Sequence, residues 1–242
     1  MKLTLYYIYL FLIAAPLLLA ITITAALLTI LGSSLECGRW FGYWPGSIWG
    51  RLFCLLTLVR VHVTGHDNIS KGRSYVFVAN HQGAYDIFSI YGYLGHNFRW
   101  MMKKSLERIP LVGYSCKVSG HIFVDNSSPS AVRATMQAAE KRLAGGMSVV
   151  VFPEGSRTLD GKMHAFRRGA FTLAVEFGLP VVPITIDGAY HILRRGSWLP
   201  RPGLIKLTIH QPIEAPEGGR HELAELIDQS YTAIASALAP AK

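Results

Sequence analysis

From Leu3 to Leu35 the chain carries no charged side chain, and Tyr6 to Leu31 is almost wholly apolar. A helix needs roughly 20 apolar residues to cross the hydrocarbon core of a bilayer, so this run is long enough to span a membrane or lie deep in one. Pro16 would kink such a helix or divide it into two halves. A cleaved signal peptide is the competing reading. Those have apolar cores of roughly 7–15 residues behind a positive start, whereas here the run is far longer and only Lys2 precedes it. The segment therefore reads as a membrane anchor. Trp40, Tyr43 and Trp49 follow it and suit a belt at headgroup level, or a hydrophobic loop packed on the rest of the chain. The apolar stretch from Ile48 to Val59 reads as an interfacial helix.

Beyond the anchor the pattern alternates short apolar runs with helical periodicity. Val61–Thr64, Tyr75–Ala79, His121–Val124, Ser148–Val151, Val181–Ile186 and Leu204–Ile209 read as strands. Tyr85–Leu94, Ser130–Leu143, Gly169–Phe177 and Leu223–Leu238 read as helices, with Ser128-Pro129 as a start signal and Gly145-Gly146 as a stop. The expected fold is α/β, a mainly parallel central sheet flanked by helices, with an N-terminal membrane-anchoring helical segment. Residues 1–58 form the anchor and interfacial part, and 59–242 the globular domain.

The net charge of +9 admits nucleic acid as a partner. No nucleic-acid fold motif or aromatic-interleaved basic run accompanies it, so nucleic acid is not expected. Beside an anchor, a basic surface is expected to face anionic lipid; a solvated face without a partner is the plainer alternative. Cys37, Cys54 and Cys116 are widely separated and show no metal-ligand spacing, which points to reduced thiols in a cytosolic setting.

Two polar clusters follow strand-like runs. Asn80-His81-Gln82-Gly83-Ala84-Tyr85-Asp86 offers a base and a carboxylate, and Phe152-Pro153-Glu154-Gly155-Ser156-Arg157 offers a carboxylate and a guanidinium on a glycine turn. If residues 81–86 were all helical, five steps would set His81 and Asp86 about 140° apart. They meet only if His81 lies in the turn after the strand and Asp86 in the first turn of the helix. That pair is a serine-protease triad without its nucleophile, so the nucleophile is inferred to be a substrate hydroxyl. Arg157 suits a bidentate phosphate contact, and Arg167, Arg168 and the Lys103-Lys104 pair are nearby candidates. Each signal alone also fits a helix cap or a surface ion pair. No G-x-S-x-G elbow, P-loop, G-x-G-x-x-G or H-E-x-x-H is present.

In combination and order, NHQGAYD at 80–86 resembles the NHxxxxD box of the glycerolipid acyltransferases, and FPEGSR at 152–157 resembles their FPEG(T/S)R box. Lys104-Ser105-Leu106, Gly120–Asp125, Phe166–Gly169 and Val181–Ile184 fall in the same order, so the likeness covers roughly residues 60–215. The branch most resembled is the 1-acyl-sn-glycerol-3-phosphate (lysophosphatidic acid) acyltransferases. The resemblance implies His81 as general base and Asp86 as its partner. It implies that Glu154, Gly155, Ser156 and Arg157 hold the acceptor, with Lys104 at its phosphate. The expected substrates are lysophosphatidic acid and acyl-CoA or acyl-carrier protein, with no cofactor and no metal, and with the catalytic domain on the cytoplasmic face. One departure is Asn126, where the family's second box usually ends in Arg; an amide cannot supply a guanidinium fork. It keeps open another lysolipid acceptor. A non-catalytic lipid-binding protein on the same scaffold is the alternative from a different class.

Overall fold

The computed structural model describes residues 3–34, 38–125, 127–144, 146–216 and 220–239. Cys37 and Asn126 lie outside the described residues. Among those described, seven strands form one sheet: β1 (Val59–Thr64), β2 (Val76–Ala79), β3 (Phe98–Lys103), β4 (Ile122–Val124), β5 (Ser148–Val151), β6 (Val181–Asp187) and β7 (Gly203–Ile209). Their spatial order is β1-β7-β6-β2-β5-β3-β4. β6, β2, β5, β3 and β4 run parallel, β7 pairs antiparallel with β6, and β1 pairs parallel with β7. The carboxyl ends of the five parallel strands and the amino ends of β1 and β7 thus share one edge.

The central strands are apolar on both faces, as a parallel sheet covered on both sides requires. Phe77 and Ala79 of β2 join Val150, Val182 and Ile184 in one buried cluster, while Val76 and Val78 join Val149 and Val181 in the other. The first face is covered by α2 (Trp44–Leu56) and α3 (Tyr85–Tyr93), through Cys54, Tyr85, Ile90 and Tyr91. The second is covered by α5 (Pro129–Ala144), α6 (Gly169–Glu176) and α7 (Arg220–Ser236), through Ala139, Leu143, Phe171, Leu173, Leu226 and Ile234. A shorter helix, α4 (Val112–Val118), precedes β4. β3 and α4 were not expected from the sequence; β3 inserts between β5 and β4 with Phe98 and Trp100 buried.

The apolar run forms one helix, α1 (Leu3–Ser33), long and apolar enough to cross a membrane, with a π-helical segment at Leu10–Ala14 just before Pro16. It pairs with α2 as an antiparallel hairpin. The Tyr6 and Tyr9 hydroxyls donate to the carbonyls of Thr57 and Leu56, and Trp49 Nε1 donates to Thr22 Oγ1. At the far end a Cβ on Gly32 would strike the Phe41 ring. The outer face of α1 presents Leu5, Phe11, Leu12, Leu19 and Leu31. The helix expected at 48–59 is α2, which starts and ends a few residues earlier. It packs on α3, where Phe53 and Phe88 stack at 3.8 Å. The aromatic belt is corrected in part: Tyr43 is buried against Tyr91 and Phe98, and Trp49 is held by Thr22 and Phe88, so only Trp40 of the three is largely exposed.

Candidate active site

β2 and β5 are neighbours, so the residues that follow them meet at the sheet edge, where open α/β sheets bind ligands. Asn80 continues β2 by one residue with its side chain. Its Nδ2 donates to the Ile186 carbonyl and its Oδ1 accepts from Ile186 N–H, at 2.9 and 2.8 Å, pinning the turn to β6. His81 then leaves the strand, and Asp86 sits in the first turn of α3. Gly83 makes the bend possible through close approach: a Cβ there would lie 2.8 Å from the carbonyl oxygens of Ala189 and Leu193.

His81 Nδ1 is 2.7 Å from Asp86 Oδ2, which also accepts from Gly83 N–H at 2.8 Å. A carboxylate only accepts, so Nδ1 carries the hydrogen and Nε2 is left as the basic nitrogen. Asp86 is fully buried, whereas the His81 side chain keeps 14% of its surface open. A base that must reach substrate and a partner shielded from water should divide exposure in this way.

The second box grips the same histidine. His81 N–H donates to Glu154 Oε1 at 2.7 Å, and Thr158 N–H donates to the His81 carbonyl at 2.9 Å. The Phe152 ring stacks on the imidazole at 3.9 Å and 7°, with Trp100 stacked behind it at 5.4 Å. Backbone, ring plane and Nδ1 are therefore all fixed by partners. Glu154 Oε2 accepts from His164 N–H at 2.9 Å, so both carboxylate oxygens of this buried side chain are engaged by backbone donors. Burial pushes its carboxyl above the usual carboxylate range, and the two N–H donors pull against that rise.

Gly155 adopts a left-handed φ of 77°, and a Cβ there would lie 2.9 Å from Arg167 Cζ. The Arg167 guanidinium thus lies against the glycine turn. Ser156 and Arg157 are half-buried on the same loop, and Arg157 makes no ion pair among the described residues. Lys104 follows β3 at this edge, exposed and 3.4 Å from Glu107, which Lys117 also approaches. The two lysines hold the Glu107 carboxyl below its usual range. Among the described residues no three His, Cys, Asp or Glu side chains cluster as metal ligands would.

A family profile, Acyltransferase, matches residues 60–187. The chain belongs to the acyltransferase family. It is 31% identical over 235 residues to a 1-acyl-sn-glycerol-3-phosphate acyltransferase of Chlamydomonas reinhardtii, covering 95% of this chain and 67% of that one. It is 30% identical over 196 residues to the 1-acyl-sn-glycerol-3-phosphate acyltransferase of Pseudomonas aeruginosa, covering 79% and 75%. The chain spans 55% of the length of a chloroplastic relative from Arabidopsis thaliana. In three dimensions it superposes on the crystal structure of the 1-acyl-sn-glycerophosphate acyltransferase PlsC from Thermotoga maritima with a TM-score of 0.77, at 26% identity and 98% coverage of both chains. Both boxes, 80–86 and 152–157, fall inside the matched region. Phe152 and Asn80 were in those boxes, yet their roles became visible only in the fold.

Proposed function

We propose that this acyltransferase moves a fatty acyl group from acyl-CoA or acyl-carrier protein to the sn-2 hydroxyl of 1-acyl-sn-glycerol-3-phosphate, giving phosphatidic acid. The observation that carries the reading is the His81–Asp86 pair held on the second box, with Nδ1 bonded to Asp86, the other ring nitrogen left for substrate, and no side-chain nucleophile in the pair. The acceptor hydroxyl lies within roughly 3 Å of Nε2 in the reactive complex. His81 takes its proton as the oxygen attacks the thioester carbonyl. The new C–O bond forms, the C–S bond breaks, and the proton passes to the departing thiolate. Asp86 stabilises the imidazolium. Base catalysis of this kind contributes about 10²–10⁴-fold, and positioning of the two substrates supplies more.

Lys104, Gly155, Ser156 and Arg157 hold the acceptor, the two cations at its phosphate. Glu154 serves the acceptor site indirectly, by fixing the backbone of His81 and of His164. α1 holds the site at the membrane, its exposed leucines and phenylalanine in lipid, with the catalytic domain on the cytoplasmic face. Another lysolipid as acceptor is the second reading, favoured by Asn126 in place of Arg. Purified enzyme offered lysophosphatidate, lysophosphatidylglycerol and other lysolipids with each donor separates the two. Turnover confined to a lysolipid other than lysophosphatidate would overturn the first reading.

A further inference from the structure

The β6–β7 connection, residues 188–202, returns to the catalytic edge, because β7 is antiparallel to β6. It carries the most exposed large apolar side chain among the described residues. Trp198 is 92% exposed, Leu199 is partly exposed, and a Cβ on Gly196 would meet nothing within 4 Å. From Gly188 to Ile213 the chain has no acidic residue, while Arg194, Arg195 and Arg201 flank the tryptophan in sequence, and Arg194 and Arg201 line a cleft with it. A neighbouring loop adds Leu159, 69% exposed, whose carbonyl accepts from the Tyr190 hydroxyl.

A second observation comes from the other end of the chain. The start of α1 lies at the same edge, tied by Tyr6 and Tyr9 to the residues before β1. Tyr7 of α1 and Trp198, Tyr190 and Arg201 line one cleft of about 450 Å³. The exposed tryptophan therefore sits beside the first turns of the apolar helix.

We propose that the 193–201 segment is a lipid-docking loop, which places Trp198 and Leu199 in the interface of an anionic bilayer with Arg194, Arg195 and Arg201 among its headgroups. Tryptophan with an apolar neighbour suits the interfacial layer, and arginine draws anionic headgroups while its stem stays in the apolar zone. The loop and α1 then grip the same membrane from two places, and the edge carrying His81 faces the lipid between them. Arg195 donates to the Arg157 carbonyl at 3.5 Å, so the docked loop also abuts the second box. The inference rests on the reading of α1 as an anchor and of this edge as the site of acyl transfer.

The test uses full-length enzyme in phosphatidylcholine vesicles with and without phosphatidylglycerol. The chain has five tryptophans, so the fluorescence difference between wild type and Trp198→Phe isolates the one in the loop. In phosphatidylglycerol vesicles that component should be quenched by lipids brominated near the headgroup and shielded from aqueous acrylamide. The triple variant Arg194→Gln, Arg195→Gln, Arg201→Gln should restore acrylamide access. A Trp198 component open to acrylamide and untouched by bromolipid would overturn the proposal. So would shielding without vesicles, by an acidic carrier protein or by raised enzyme concentration, since that assigns the patch to a protein. Acyl transfer is measured in parallel. Active enzyme with an unshielded loop removes the docking alone, whereas inactive enzyme with a quenched loop removes the proposed reaction and leaves the docking.

Discussion

Asp86→Asn separates two functions of one carboxylate. In the structure Asp86 Oδ2 accepts twice, from His81 Nδ1–H and from Gly83 N–H. Asparagine can keep both bonds through its carbonyl oxygen. If it turned its amide nitrogen inward, that nitrogen would face the Gly83 N–H donor against donor. The backbone therefore holds the amide in the orientation that keeps Nε2 basic. The amide nitrogen then takes the place of Oδ1, which is buried without a partner, at a cost to stability, and what His81 loses is charge: a bond to a carboxylate is worth about 1.5–3 kcal/mol and a neutral one about 0.5–1.5. The difference, about 1–2 kcal/mol, corresponds to roughly 5- to 30-fold in kcat at 1.36 kcal/mol per decade. The same substitution in a serine-protease triad costs about 10⁴-fold because the tautomer is lost. Thiol release from acyl-CoA with lysophosphatidate, at saturating substrates, measures the drop, and a thermal melt confirms folding. A folded variant as inactive as His81→Ala would refute the argument that Gly83 fixes the orientation.

Further outcomes follow from other contacts. Arg157→Ala should raise the acceptor KM far more than the donor KM, since the guanidinium has no ion-pair partner among the described residues and is assigned to phosphate; equal rises in steady-state kinetics would count against that role. Gly83→Ala drives a Cβ onto two carbonyl oxygens and should cost about 1–3 kcal/mol, read as a lower melting temperature together with lost activity. His96 is buried with Nε2 2.8 Å from Ser148 Oγ, and burial pulls its imidazole from 6.5 down to about 4. A depressed value means that the folded state favours the neutral ring, so its contribution is whole above pH 6.5 and is lost as pH falls towards 4. Melting temperature should fall across that window, by about 3 kcal/mol of stability at most, and His96→Asn should flatten the slope; an unchanged slope would show that another group titrates there.

The short runs Tyr75–Ala79 and Ser148–Val151 are readable as strands because β-branched and aromatic residues make up all of each but Ala79 and Ser148. The His81–Asp86 meeting was readable too, since helix geometry forbids it unless the histidine lies outside the helix. β3 was not. Arg99, Met101, Met102 and Lys103 give it no alternation, and Arg99 is buried beside Phe98 and Trp100. α4 carries Gly113 and two polar residues within seven positions, which hides its period. The reversal of β7 depends on pairing with β6 and β1 and has no local signal. In the site, the two backbone N–H groups that bind Glu154 are invisible in a sequence. The Phe152 stack on His81 likewise exists only because β2 and β5 lie side by side.

The central claim is that His81 activates the acceptor itself, with no acylated enzyme in between. Thiol release from acyl-CoA by wild type and by His81→Ala, with and without lysophosphatidate, tests it most directly. The account predicts release only from wild type and only when acceptor is present, with the variant still folded and membrane-bound. Release by His81→Ala at near the wild-type rate would contradict it, as would a stoichiometric burst from wild type without acceptor.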